Sequence, residues 1–234
     1  MHMLTVAAAM CRTQRLLSTD PHSGLVNFLS PFSEDMTNLA EPAMSFAHGS
    51  HTLINQSKTL FGEPTLESTS GSNGYLNYVA GRALLSSAEF TVEAWVNTEY
   101  ALTTPTYPIA CQYIGGSGVW SFGVRNQRAV FWYSNNDGLY SNAIIADGQW
   151  HHVAVTRKSN VLYLWIDGVL DNQLNIGVVA FNYTGRLQIA VNPTHPVPSG
   201  HKMSLAHLRL TNGKARYTEN FPVPTRAYPF NQAA

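Results

Sequence analysis

From Phe90 onward the chain alternates apolar and polar residues in short runs, and no stretch there sustains a 3.6-residue apolar period. "FTVEAWV" alternates cleanly: Phe90, Val92, Ala94 and Val96 fall on one face, Glu93, Trp95 and Asn97 on the other. "YPIACQYI", "VWSFGVR", "RAVFWYS", "LYSNAI", "QWHHVAVTRK", "VLYLWID", "VLDNQ", "GRLQIAV" and "SLAHLRLTNG" follow. Between them stand "GGSG" (Gly115–Gly118), "NNDG" (Asn135–Gly138), "SN" (Ser159, Asn160) and "DG" (Asp167, Gly168), residue types suited to tight turns. Short strands with turn chemistry between them predict an all-β sandwich or barrel.

The first ninety residues are less regular. "QRLLS" and "GLVNFLS" fit either a short strand or a helical turn, while "MSFAHGSHTLINQSKTLFG" and "GYLNYV" read as short strands in loops. With 234 residues the chain can bury a sizeable core without disulfides. Residues 1–15 read as an N-terminal arm, 16–230 as one domain and 231–234 as a tail. The Pro-rich "NFPVPTRAYPFNQAA" is expected to be an extended surface run, because proline cannot donate to a ladder.

Lys plus Arg number 14 and Asp plus Glu 14, so no basic excess points to nucleic acid. The apolar runs are too short for a membrane-spanning helix. "MHMLTVAAAM" lacks the basic start of a signal peptide, which implies a cytosolically made chain. Two cysteines, Cys11 and Cys111, make no disulfide framework.

Several motifs occur in an order that resembles a known family. "FTVEAWV", "DGQWHHVAVTR", "LYLWIDGVL", "GRLQIAV" and "LAHLRLTNGKARYTENFPVPTRAYP" are similar to laminin-G-like domains of the concanavalin A-like lectin/glucanase superfamily. The upstream "SKTLFGEPTLESTSGSNGYLNYV", with a strand carrying Phe-Gly, resembles the family's opening, so the likeness covers roughly residues 14 to 229. The closing segment resembles the C-terminus of such domains in tailed-bacteriophage virion proteins. The resemblance implies a concanavalin A-like jelly-roll of two antiparallel sheets, with the Trp-His-His strand paired to the Tyr-x-x-x-Asp-Gly strand.

The adjacent His151 and His152 face opposite sides of a strand and cannot share one pocket. With Trp150, Asp167 and Gly168 they read as a structural signature, one ring packed and the other semi-exposed. Retaining glucanases, which the resemblance brings into view, need two carboxylates about 5 Å apart. Glu93 has no same-face acidic partner on its strand, so local hydrogen bonding is its expected role and no catalytic residue is assigned. Calcium, held by some relatives, wants clustered carboxylates, and "SGSNGY" carries none; neither metal nor cofactor is expected.

Sugar recognition needs exposed aromatic platforms and a few amide or carboxyl groups. Trp120, Trp132, Tyr133 and Tyr140, with Asn135 and Asp137, are the candidates. Alternation sends Phe131 and Tyr133 one way and Trp132 the other, and either assignment is open. The expectation from the resemblance is a non-enzymatic bacteriophage virion structural protein, a capsid decoration, head fibre or tail component. It would contact other virion proteins through Leu4, Val6, Leu16 and Leu17 and form a homo-oligomer, by analogy a trimer. The alternative is a carbohydrate-binding module that attaches to a cell-surface glycan.

Overall fold

The computed structural model describes residues 20–69, 74–85, 88–101, 103, 106–113, 119–133, 138–190 and 200–228. The expected arm with Leu4 and Val6, together with Cys11, Leu16, Leu17, the "GGSG" turn, Asn135, Asp137 and the tail, lies outside these residues.

Two antiparallel sheets form a jelly-roll sandwich. One sheet holds β1 (Val26–Ser30), β3 (Thr52–Leu60), β4 (Glu63–Thr69), β6 (Phe90–Thr98), β11 (Trp150–Lys158), β12 (Val161–Ile166), β13 (Val169–Asn175) and β15 (Lys202–Asn212). Its order is β13-β12-β11-β6-β15-β4-β3, and β1 pairs with the far half of β15. The other sheet holds β2 (Phe46–His48), β5 (Leu76–Tyr78), β7 (Tyr107–Tyr113), β8 (Val119–Arg125), β9 (Arg128–Trp132), β10 (Gly138–Tyr140) and β14 (Arg186–Ile189). Its order is β10-β9-β8-β7-β14-β5-β2. The irregular first ninety residues therefore supply strands to both sheets. "GLVNFLS" is partly both of its readings: a 3-10 turn over Ser23–Leu25 leads into β1.

The alternation in "FTVEAWV" sets the core face of β6. Phe90, Val92, Ala94 and Val96 meet Trp120, Phe122 and Phe131 of the opposite sheet. Each such ring or aliphatic side chain, fully withdrawn from water, contributes about 1.5–3 kcal/mol. Yet β6 is buried along its whole length, so its second face is covered too. The cover is the C-terminal segment, which the sequence presents as a surface run. Tyr217 and Phe221 stack at 3.5 Å between ring centroids, Phe221 meets Trp165 edge-on, and Tyr228 is buried. Pro222 and Pro224 keep this strap extended but do not keep it on the surface, because its aromatic side chains satisfy the outer face of the sheet.

Turn chemistry closes the hairpins. Ser159, with φ 54°, turns β11 into β12, and Asp167 and Gly168, with φ 49° and 79°, turn β12 into β13. Phe61–Gly62 is not within a strand as the resemblance suggested but is the β3–β4 turn, with φ 54° and 81°. The Phe61 ring packs on Trp95 and stacks on His207, contacts that offset the cost of a bulky residue at positive φ.

Candidate functional site

The signature histidines part as strand alternation requires. His151 lies at the end of β11, where Nδ1 is 2.7 Å from Asp167 Oδ2 and Nε2 is 3.2 Å from Asp147 Oδ1. The hydrogen bond that His151 donates to Asp167 raises the His151 pKa, ahead of the opposing effect of burial. For Asp167, burial alone would raise the pKa, but bonds from His151 and the His152 amide leave it lowered. His151 protonation thus stabilises the fold fully below the ordinary imidazole value of about 6.5 and ceases to as pH rises through the higher folded value. Asp167→Asn should bring the His151 titration, followed by NMR of its ring proton, back toward that ordinary value; an unmoved titration would remove Asp167 as the cause.

His152 points the other way and is wholly buried under the strap. Its Nε2 is 2.9 Å from Tyr228 Oη and 3.3 Å from Glu93 Oε2, while Nδ1 has no hydrogen-bond partner among the described residues. Glu93 accepts from Arg209 Nε at 2.8 Å and from Tyr217 Oη at 2.6 Å. Asp20 accepts from Arg209 at 3.2 Å and from Arg216 at 2.7 Å. Burial would push the Glu93 carboxyl up, but the Arg209 guanidinium and the His152 bond hold it well below the usual carboxylate range. The bonds of Glu93 are not local: Arg209 is 116 residues away. A carboxylate held ionised among fixed donors cannot serve as a proton donor.

The candidate ligand surface is the outer face of the seven-stranded sheet. Paired residues share a face, so the register places one row across six strands: Asn77, Gln188, Cys111, Ser121, Trp132 and Gly138. Trp132 is partly exposed, and its indole N–H donates to Thr106 Oγ1 at 3.2 Å. The Arg125 guanidinium lies 5.2 Å from its ring centroid, and Tyr140 meets it edge-on at 5.8 Å. Arg125 Nε is itself fixed by the Thr103 carbonyl. Gly138 sits close beside this ring, where a Cβ would come within 3.2 Å of the indole. From Trp132 the row continues over small side chains to an amide pair, in which Gln188 donates to Asn77 Oδ1 at 3.0 Å. Burial pushes the free Cys111 thiol up to about 12, which leaves it an inert part of the floor.

The open choice on β9 is thereby decided: Trp132 faces out, and Phe131 and Tyr133 face the core. Trp120 is also buried in the core, its N–H on Gln112 Oε1, so Trp120 and Tyr133 cannot meet a ligand from outside. Trp132 and Tyr140 are brought together; Asn135 and Asp137 lie outside the described residues. Arg125, Thr106, Gln188 and Asn77 were not singled out from the sequence. They are separated by up to 111 residues from their partners, and only strand order brings them into one row.

Among the described residues no three His, Cys, Asp or Glu side chains group to hold a metal ion, and no helix is long and apolar enough to cross a membrane.

A family model described as the concanavalin A-like lectin/glucanases superfamily matches residues 70–212, more than half of the chain. The chain belongs to the concanavalin A-like superfamily. The one acid on β6, Glu93, is locked in a buried ion-pair network with Arg209. The binding domain of Paraclostridial Mosquitocidal Protein 1 superposes with a TM-score of 0.66 at 12% identity, over 81% of this chain and 49% of that one. The binding domain of botulinum neurotoxin DC, solved in complex with rat synaptotagmin II, gives 0.63 at 14% identity, over 81% and 48%. A structure of botulinum neurotoxin type C, whose cell entry depends on interaction with two ganglioside molecules, gives 0.62 at 14% identity, over 81% and 48%. The concanavalin A-like chain spans about half the length of these proteins. No curated protein matches it.

These toxin domains overturn the narrower expectation of a tailed-phage virion protein, and with it the virion partners and the virion localisation. The physical reason is visible in the segment that carried it. "LRLTNGKARYTENFPVPTRAYP" forms β15 and the strap, with Arg209, Arg216, Tyr217 and Tyr228 all spent on covering the sheet. Those residues report the build of the sandwich and carry no information about a particle.

Proposed function

We propose that the chain is a non-catalytic glycan-binding module that attaches to a cell-surface glycan through the outer face of the seven-stranded sheet. The observation that carries this reading is Trp132, an outward-facing ring held by Thr106, flanked by Arg125 and Tyr140, and continued by a row of hydroxyl and amide groups. A sugar ring offers a C–H face to an aromatic ring and hydroxyls to amides, so this juxtaposition meets both of its faces. The ganglioside dependence of botulinum neurotoxin type C lends support by fold alone.

Glycan-array screening followed by calorimetry tests it. Trp132→Ala should weaken binding of the glycan found by about thirtyfold, equal to ~2 kcal/mol, with the unfolding transition retained. Unchanged affinity in Trp132→Ala, or an array with no bound glycan, would sink the proposal.

A further inference from the structure

Two turns of the eight-stranded sheet meet over one imidazole. Asp147 stands in the turn before β11, Asp167 in the turn between β12 and β13, and the His151 ring lies between their carboxylates. Nδ1 faces Asp167 at 2.7 Å and Nε2 faces Asp147 at 3.2 Å. A neutral imidazole has one N–H and one lone pair, so it can serve one of these acceptors and repels the other. Only the imidazolium donates to both. The carboxylates are also tied to the backbone, Asp147 Oδ1 by the Gln149 amide at 2.9 Å and Asp167 Oδ1 by the His152 amide at 2.8 Å. Neither can leave the ring without disturbing its own turn.

The strap grips the Asp167–Gly168 turn from the other side. The Phe221 amide donates to the Gly168 carbonyl at 2.9 Å, and Asn220 Oδ1 accepts from Leu170 N at 2.9 Å. The Phe221 carbonyl lies so near Gly168 that a Cβ there would meet its oxygen at 2.1 Å. Asp167 and Gly168 are adjacent and both hold positive φ, 49° and 79°, so the carboxylate that meets His151 and the carbonyl that meets Phe221 are aimed by one turn.

We propose that His151 is a pH-sensitive latch for the C-terminal strap: the charged ring holds the Asp167–Gly168 turn in the shape that receives Phe221, and loss of that charge loosens the strap. The bond to Asp167 raises the His151 pKa. The hold is therefore complete below the ordinary imidazole value of about 6.5 and is lost as pH rises through the higher folded value. Linkage makes the effect reciprocal, so displacing the strap weakens the hold of the ring on its proton. Other charged groups stand further off. Glu99 lies beside Gly148 in the Asp147 turn, and the His151 partner on β6, Val96, is apolar. His152 with Glu93, and Lys58 over Trp150, belong to the opposite face of the sheet. Three more imidazoles lie along the strap: His152 against Phe221, His207 against Tyr228, and His22 near Arg216.

The test is hydrogen exchange of the Phe221 and Leu170 amides in the full chain at pH of about 5.5 and about 9, either side of the imidazole range. Each rate is divided by that of an unstructured peptide at the same pH. Protection should fall by about three- to tenfold between the two, the effect of a proton affinity that differs by roughly half to one pKa unit between docked and open strap. Amides of β7, in the other sheet, should show no such fall. His151→Gln keeps one donor but no charge and should remove most of the fall. Asp147→Asn decides the matter if His151→Gln fails to fold: with the second carboxylate gone, a neutral ring satisfies Asp167 alone and the fall should shrink. Gly168→Ala, which dislodges Phe221, should move the His151 titration down toward its ordinary value, read by NMR of the ring proton. Equal protection at the two pH values overturns the latch. A fall of full size in His151→Gln also overturns it, by assigning the effect to His152, His207 or His22, and an equal fall in β7 would do so by showing a response of the whole domain. An unmoved titration in Gly168→Ala would break the coupling between ring and strap.

Discussion

Glu93→Ala is expected to destabilise the domain by about 3–5 kcal/mol, the loss typical when one member of a buried ion pair is removed. Glu93 is fully buried, and both Arg209 and Tyr217 direct their polar atoms at its carboxylate. Without it, Arg209 retains Asp20 at 3.2 Å, but Asp20 must also serve Arg216, so one buried guanidinium is under-compensated. The midpoint of thermal unfolding should fall by roughly 10 °C for a chain of this size. Because buried pairs are worth little against apolar replacements, Glu93→Ala combined with Arg209→Met should be less destabilised than Glu93→Ala alone. Urea unfolding of the three variants, followed by tryptophan fluorescence, checks the sign. A cost below about 1 kcal/mol for Glu93→Ala would mean that the network is incidental. The same carboxylate sets an acid limit. Its folded pKa is depressed, so its contribution is complete above the ordinary Glu value of about 4.3 and is lost as pH falls toward the folded value.

Gly168→Ala should cost about 3 kcal/mol and loosen the strap, whereas Gly62→Ala should cost only about 1–2 kcal/mol. Both glycines turn a hairpin at almost the same angle, φ 79° and 81°. They differ in surroundings. A Cβ on Gly62 meets nothing within 4 Å, while one on Gly168 would run into the Phe221 carbonyl oxygen. The Phe221 amide is also bonded to the Gly168 carbonyl at 2.9 Å, and Leu170 N is bonded to Asn220 Oδ1 at 2.9 Å. Displacing Phe221 exposes His152 and Trp165, which it covers edge-on. Hydrogen exchange at Tyr217–Tyr228 should therefore quicken in Gly168→Ala and not in Gly62→Ala. Equal costs and equal exchange in the two variants would show that the strap is not docked through this turn.

How far the sequence could be read depended on the range of the interaction. Strand alternation and turn residues are local, so the core face of "FTVEAWV", the divergence of His151 from His152 and the turns at Ser159–Asn160 and Asp167–Gly168 were legible without a fold. The strap was not. Its prolines announced an extended run, but its burial depends on the outer face of β6 and β11, whose His152 and Glu93 look solvent-facing when counted along one strand. The phage resemblance erred at this point too, because it took as a mark of the particle residues that only close the sheet.

The candidate site shows the same division. The sequence by itself determined that one of Trp132 and Tyr133 must face out, since successive residues on a strand cannot share a side. Which one, and what stands beside it, was a matter of tertiary structure. Asn77, Gln188, Cys111, Ser121 and Trp132 come from five strands, and their alignment rests on strand order and register, which no local pattern encodes. The sequence determined an all-β sandwich or barrel because period-two burial and turn chemistry are set residue by residue. The tertiary structure alone decided which face each sheet turns to solvent, because that depends on where the segments remote in sequence come to rest.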